Sequence, residues 1–385
     1  MAAGETVRVP DSQVGSLYPF LRQCAGHCTQ ELSFLNDRFA PRDLDAWKRQ
    51  GRAKLHELLR YDPPRVDPRA EVLERVDCGD YVRERVTFQT TPDIRVPAFV
   101  LLPKGERQRR PAIVALHDHG GFYVWGKEKI VAVENEHPSL AEFKRLYYGN
   151  RSYASELAKR GYVVIAIDMF YWGERRMLLP ADPPAWHHPD QMSADDVTAF
   201  NVRSGANTWT VGTGLFEAGL TWSGVMFLDD LRTVDYLLTR PEVDPERIGC
   251  VGLSVGGFRS AHLAGLDARI KAAVVVGWMC SYGSMLQGHL TSIGPMKVVP
   301  GLYRYLDLPD VVSMTAPGSL MVIHGSQDGL FPMAGVQEAF DKIAKVYQKA
   351  GVPERFQPVV YDGPHEFNLP MQEKAFAWLD RWLKA

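Results

Sequence analysis

Long hydrophobic runs are missing from this chain. No stretch approaches the ~20 apolar residues of a membrane-spanning helix, and Met1 to Pro10 has neither the basic nor the apolar region of a signal peptide. An excess of one charge is missing too. The 44 Lys and Arg residues are balanced by 46 Asp and Glu, for a formal net charge of −2. Neither nucleic acid nor an anionic membrane is therefore an expected partner. The densest basic cluster, Arg107-Gln108-Arg109-Arg110, reads as a solvated loop between strands. Cysteine is scarce: Cys24, Cys28, Cys78, Cys250 and Cys280 are odd in number and scattered, which argues against a disulfide framework. Cys24 and Cys28 can share a helix face with His27 nearby, yet a metal site there lacks ligands, and ordinary buried thiols are the better reading. These absences lead us to expect a reduced, cytoplasmic protein. Internal repeats and low-complexity segments are also absent.

What is present is the balance of a globular enzyme, 45% hydrophobic and 23% charged over 385 residues. That length exceeds one typical domain but suits a single α/β core with insertions. Residues 1–80 are expected to form an N-terminal helical extension. The stretch from 14 to about 60 reads as helical, with Leu44, Trp47, Leu55, Leu58 and Leu59 on one face of a helix starting near Pro41. Residues 81–385 are expected to form the catalytic unit. Arg83–Thr90 and Arg95–Leu102 read as opening strands. Nearly continuous apolar runs follow at 112–116, 162–167, 248–253, 272–276 and 320–323, with a last strand over 356–361. Runs of this kind are strands buried on both faces, so helices must cover both. The expected architecture is α/β: a doubly wound, mostly parallel sheet of about eight strands. Two segments, about 170–219 and 278–317, exceed ordinary strand–helix loops. Both leave the carboxyl ends of strands, where ligands bind in such sheets.

Gly252-Leu253-Ser254-Val255-Gly256 is the sole G-x-S-x-G of the chain. The pentapeptide alone is a modest signal, but here a strand (247–253) runs into it and a helix from about Gly257 runs out. A strand–Ser–helix turn is the nucleophile elbow of the α/β-hydrolase fold. The flanking glycines permit close approach of strand and helix, and the helix N-terminus brings a positive dipole end to the reacting oxygen. The rival reading, a Gly-Ser turn in an ordinary Rossmann-like protein, needs that coincidence by accident.

A serine hydroxyl needs a base at neutral pH, and in this fold the triad runs Ser, acid, His along the chain. Four histidines follow Ser254. His262 lies on the helix after the elbow, His289 in the second insertion, and His324 at a strand end beside Asp328. His365, in the turn Asp362-Gly363-Pro364-His365-Glu366-Phe367 after the last strand, is the base by position. Asp328, in the glycine-flanked turn after the preceding strand, is the expected acid, orienting the imidazole and stabilising its cation. Asp362 and Glu366 are the runners-up.

Acyl transfer also needs hydrogen-bond donors where negative charge develops. The Val255 amide is one. The other is expected from His117-Asp118-His119-Gly120-Gly121-Phe122, at the backbone of His119 with Gly120 as second choice. His117 and His119, and likewise His187-His188-Pro189-Asp190, also admit a metal reading, but no further ligands fall at clear spacing. Asp168 and Arg175 read as a structural pair holding the first insertion. Phe170, Tyr171, Trp172 and Trp222 are candidates to line a substrate pocket, against the commoner role of aromatic packing.

Asp229-Asp230-Leu231-Arg232, Val234-Asp235-Tyr236-Leu237, Arg240-Pro241-Glu242-Val243-Asp244 and Arg247-Ile248-Gly249, leading into Gly252-Leu253-Ser254, resemble dienelactone-hydrolase-like and acetyl-xylan-esterase-related serine esterases over roughly residues 80–385. The N-terminal Trp47 helix is similar as well. The resemblance implies carboxylic-ester hydrolysis through an acyl-enzyme, without cofactor or metal. It carries Ser254, Asp328 and His365 as the triad and the backbone at His119 and Val255 as the oxyanion hole. The expected substrate is a small-molecule ester, with deacetylation of small or sugar esters as one branch. Amide or peptide hydrolysis on the same triad, as in prolyl-oligopeptidase-like enzymes, is the alternative, and a non-catalytic binding protein with this fold ranks last. A homo-oligomer remains open, with the N-terminal helices as its interface or as a cover.

Overall fold

A computed structural model describes residues 16–105, 108–286, 288–290 and 293–384. Met1 to Pro10 and Arg107, considered above for signal-peptide character and as part of a basic loop, lie outside the described residues. One sheet of nine strands runs through the molecule: β1 (Glu71–Asp77), β2 (Tyr81–Gln89), β3 (Arg95–Pro103), β4 (Arg110–Leu116), β5 (Val163–Ile167), β6 (Val243–Leu253), β7 (Ile270–Val276), β8 (Ser319–Gly325) and β9 (Phe356–Tyr361). Their spatial order is β1-β2-β3-β5-β4-β6-β7-β8-β9. The pairings from β5 through β4 to β9 are parallel, while β1–β2, β2–β3 and β3–β5 are antiparallel. This is the α/β-hydrolase architecture expected from the sequence, with one strand more than anticipated. That strand, β1, begins at Glu71, ahead of residue 81. It is exposed along nearly its whole length and so lacks the apolar pattern that reveals the inner strands.

Strand alternation divides the core. Ala112, Val114 and Leu116 of β4 face one apolar cluster, and Ile113 and Ala115 face the other. The first cluster includes residues of the helices Leu44–Leu59, Trp222–Leu237, Val255–Leu266 and Met333–Lys349. The second includes residues of Pro138–Tyr148, Tyr153–Lys159 and Leu369–Leu383. The N-terminal stretch departs from the expected run of helix. It forms two helices, Tyr18–Gly26 and Leu44–Leu59, the second entered through a 3-10 turn at Pro41–Asp43. Between them the chain turns so that Phe34 and Phe39 bury beside Trp47. Phe34 stacks on the indole at 4.8 Å, and the indole N–H donates to Leu32 O at 2.6 Å. Tertiary packing has overridden local propensity there.

The first insertion holds three 3-10 turns and the long helix Ala194–Glu217, capped by Ser193 and Asp196. The second holds the short helices Tyr282–Met285, Leu302–Tyr305 and Leu308–Ser313 and a 3-10 turn at Pro295–Lys297.

Candidate active site

Ser254 lies between the end of β6 and the helix Val255–Leu266. Its backbone is at φ 60°, ψ −122°, a conformation that costs a non-glycine residue ~1–3 kcal/mol and persists only where the surroundings enforce it. Here the Ser254 amide donates to Val276 O at 2.8 Å, and its carbonyl accepts from the Phe258 amide at 2.9 Å. A Cβ at Gly256 would collide with the carbonyl of Leu116 on β4, so only glycine lets the helix start this close to the sheet. The helix is further fixed from behind. Arg259 and Asp230 are both fully buried and form a bidentate pair at 2.6 and 3.0 Å.

His365 follows β9 and Asp328 follows β8. His365 Nδ1 lies 2.5 Å from Asp328 Oδ2, and Asp328 Oδ1 accepts from the Leu330 amide at 3.0 Å. Burial pushes the Asp328 carboxyl upward, but the hydrogen bond and charge of His365, with the Leu330 amide, outweigh it and hold it below the usual carboxylate range. A carboxylate that stays ionised fixes Nδ1 as the protonated nitrogen and turns Nε2 outward. Nε2 has no hydrogen-bond partner among the described residues. Gly277, at the end of β7 with φ 61°, makes room for the ring, since a Cβ there would stand 2.9 Å from His365 Cε1.

Ser254 and His365 share one cavity of about 220 Å³, whose wall includes His119, Gly120, Val255, Tyr147, Trp278 and Lys297. The serine, base and backbone donor positions expected from the sequence thus border a single space, with Asp328 behind the base. The rival acids point elsewhere: Asp362 accepts from Ser326 and Gln327, and Glu366 accepts from Asn368. His262 is buried against Phe227 at 4.3 Å and bonded to Phe258 O; burial pushes it down to about 4. His324 is buried at the end of β8, where burial lowers its pKa despite the nearby Asp328.

The loop after β4 is held by its own side chains. His117 Nε2 accepts from the Met169 amide at 3.1 Å, which makes Nδ1 the donor to Asp118 O at 2.8 Å. His119 Nδ1 accepts from the Gly121 amide at 2.8 Å. Burial, together with nearby lysine charges, draws both histidines well below their usual range. Neither belongs to a cluster with metal-ligand spacing among the described residues. Among the described residues that spacing occurs at Glu128, Asp168 and Glu174, where the Lys127 ammonium already lies 2.7–2.9 Å from all three.

The structure places some expected residues differently. Tyr171, Trp172 and Trp222 are almost wholly buried and do not border the cavity. They pack on one another, Tyr171 against Trp222 at 5.3 Å and Trp172 against Tyr171 at 5.9 Å. The Trp172 indole N–H donates to His119 O at 3.3 Å. Tyr147, Trp278, Leu330 and Lys297 take the wall positions instead. Asp168 and Arg175 are not an ion pair. Asp168 pairs with Lys127, and Arg175 pairs with Asp229 at 2.7 Å while reaching only the backbone carbonyl of Asp168. Lys297 comes from the second insertion with its ammonium 5.4 Å from the centre of the Trp278 ring, and burial pushes it down to about 8.

Residues 11–375 match the model of the abhydrolase family. YtaP, a candidate hydrolase of Bacillus subtilis strain 168, is 25% identical over 333 residues, which is 86% of this chain and 98% of that protein. A candidate acetyl xylan esterase from Bacteroides fragilis superposes with a TM-score of 0.71 at 19% identity, over 92% of this chain and 84% of the other. A glucuronoyl esterase from Solibacter usitatus superposes at 0.59 with 13% identity, over 87% and 93%.

Proposed function

The chain belongs to the abhydrolase family, and from that premise we propose that it hydrolyses carboxylic esters through an acyl-enzyme on Ser254, with His365 as base and Asp328 as its orienting acid. One observation carries the proposal. A serine held in the strained elbow conformation shares its cavity with a histidine whose far nitrogen is locked onto a buried carboxylate.

In the reaction His365 Nε2 takes the hydroxyl proton as Ser254 Oγ attacks the ester carbonyl. The amides of Val255 and His119, with Gly120 beside them, receive the developing oxyanion. His365 returns the proton to the departing alcohol. Water, deprotonated by the same nitrogen, then attacks the acyl group; the acid leaves and Ser254 is restored. A cavity of about 220 Å³ suits a small acyl group, and two proteins of the same fold are named as a candidate acetyl xylan esterase and a glucuronoyl esterase. Both favour a small or sugar-borne ester over a long-chain lipid. Amide hydrolysis uses the same groups and is the second reading.

A fluorophosphonate probe should label Ser254, and Ser254→Ala should abolish turnover of aryl acetates. An unlabelled Ser254, with activity kept in the alanine variant, overturns the assignment. Matched ester and amide substrates separate the two readings, and a series of aryl esters of increasing acyl length measures the acyl pocket.

A further inference from the structure

Lys129 closes the 3-10 turn Lys127–Lys129 after the loop Gly120–Gly126, and its side chain is completely buried. An ammonium has three protons to donate, and three oxygens receive them: the carbonyls of Asp118 and His119 at 3.1 and 3.0 Å, and Asp118 Oδ2 at 3.5 Å. The rings of Phe143 and Phe122 lie beside it, with centres 5.0 and 6.0 Å away. Asp118 is held in turn by the Tyr148 hydroxyl at 2.5 Å.

The two carbonyls belong to consecutive peptide planes. In a trans peptide the C=O of one residue and the N–H of the next point in opposite directions. Drawing the Asp118 and His119 carbonyls toward Lys129 therefore turns the amides of His119 and Gly120 away from it. No hydrogen bond among the described residues uses either amide. Both residues border the cavity that holds Ser254, whereas Lys129 sits behind the loop. His117 Nδ1 and Trp172 Nε1 add to the same two carbonyls from other sides, so the planes are anchored but Lys129 alone spans both.

We propose that Lys129 is the positioning residue of the oxyanion hole: its buried ammonium clamps two adjacent carbonyls so that the His119 and Gly120 amides face the reacting oxygen, and its charge stands behind them. The inference rests on the ester-hydrolase reading of Ser254. A mobile loop amide loses most of its value, because catalytic dipoles act by being already oriented. The positive charge adds to this in a dry interior, where electrostatic interactions are less screened.

The test is the rate at which an ethyl fluorophosphonate labels Ser254, read with kcat and KM for an aryl acetate. The phosphoryl oxygen needs the same donors as the ester oxyanion, so labelling reports on the hole without knowledge of the natural substrate. Lys129→Met should lower the labelling rate and kcat together by ~100-fold, the scale of losing an oxyanion donor, with KM within about threefold. Lys129→Gln keeps a donor without the charge and should fall between, at about tenfold; it also serves if the methionine variant does not fold. Circular dichroism and thermal melting establish that each variant is folded. A folded variant that keeps the wild-type labelling rate and kcat, or one that changes KM alone, overturns the inference while leaving the ester-hydrolase reading intact. A wild-type protein whose Ser254 is not labelled overturns both.

Discussion

His365 Nδ1 and Asp328 Oδ2 meet at 2.5 Å although 37 residues separate them in the chain. The parallel register of β8 and β9 makes the contact possible. His324 pairs with Val360 and Gly325 with Tyr361, so the two loops leave the sheet side by side. The Ser326 amide on Tyr361 O and the Gln327 amide on Gly363 O, at 2.8 and 2.9 Å, join the loops. Asp328→Asn keeps the shape but replaces a pure acceptor by a group that can present N–H to Nδ1, favouring the wrong tautomer. The variant should fold normally and lose ~10⁴-fold in kcat, with KM little changed in steady-state assays on an aryl acetate.

Gly277 controls the other side of the imidazole. A methyl at this position would stand 2.9 Å from Cε1 and 3.1 Å from Nδ1 of His365, the first too close to stand without a shift and the second tight. Its φ of 61° also costs an L-residue ~1–2 kcal/mol. Gly277→Ala should displace the ring, lowering kcat and fluorophosphonate labelling more than tenfold while the melting temperature drops by only a few degrees. Unchanged labelling would show that the ring has another place to settle.

Asp230 and Arg259 pair although they lie on different helices. Both are fully exempt from solvent contact, and their bond ties Trp222–Leu237 to the helix that carries Ser254. Removing one member of a buried pair strands the other, at ~3–5 kcal/mol. Asp230→Ala should lose that much stability in urea or thermal unfolding. Loss of activity should follow the unfolded fraction rather than precede it.

The difference between what was and was not legible follows from distance along the chain. Ser254, Asp328 and His365 each stand at the end of an apolar run, and in a parallel sheet all such ends share one edge, so local pattern places them together. The cavity wall depends on where the insertions fold back, which no local pattern encodes. Trp172 and Trp222 both pack against Tyr171, while Trp278 and Lys297, from a segment without strong periodicity, border the cavity of the nucleophile. Arg175 illustrates the same limit: seven residues from Asp168, it pairs instead with Asp229 on a helix far along the chain. Lys129 did leave a trace. Lys127 and Lys129 are charged residues next to the apolar Ile130 and Val131, and both prove buried, a signal that each must have a fixed set of partners.

Lys297 gives the cavity a charge that depends on pH. Burial pushes it down to about 8 from an ordinary value of 10.5, so the ammonium carries its charge at pH 7 and loses it as the pH rises through 8. A small carboxylate bound beside Ser254 should therefore inhibit more strongly on the acid side. Its inhibition constant should be flat below pH 7, climb through pH 8 and level off about tenfold higher, where the ammonium has lost its proton. Lys129 is also drawn to about 8, chiefly by burial, but it faces the back of the loop, so its proton affects the rate of acylation more than the binding of an anion. Lys297→Met separates the two. It should weaken benzoate at pH 7 by about an order of magnitude and flatten the pH profile of its inhibition constant, while fluorophosphonate labelling by an uncharged probe stays within a few-fold of wild type. A profile that keeps its rise above pH 8 in Lys297→Met would assign the titration to another group.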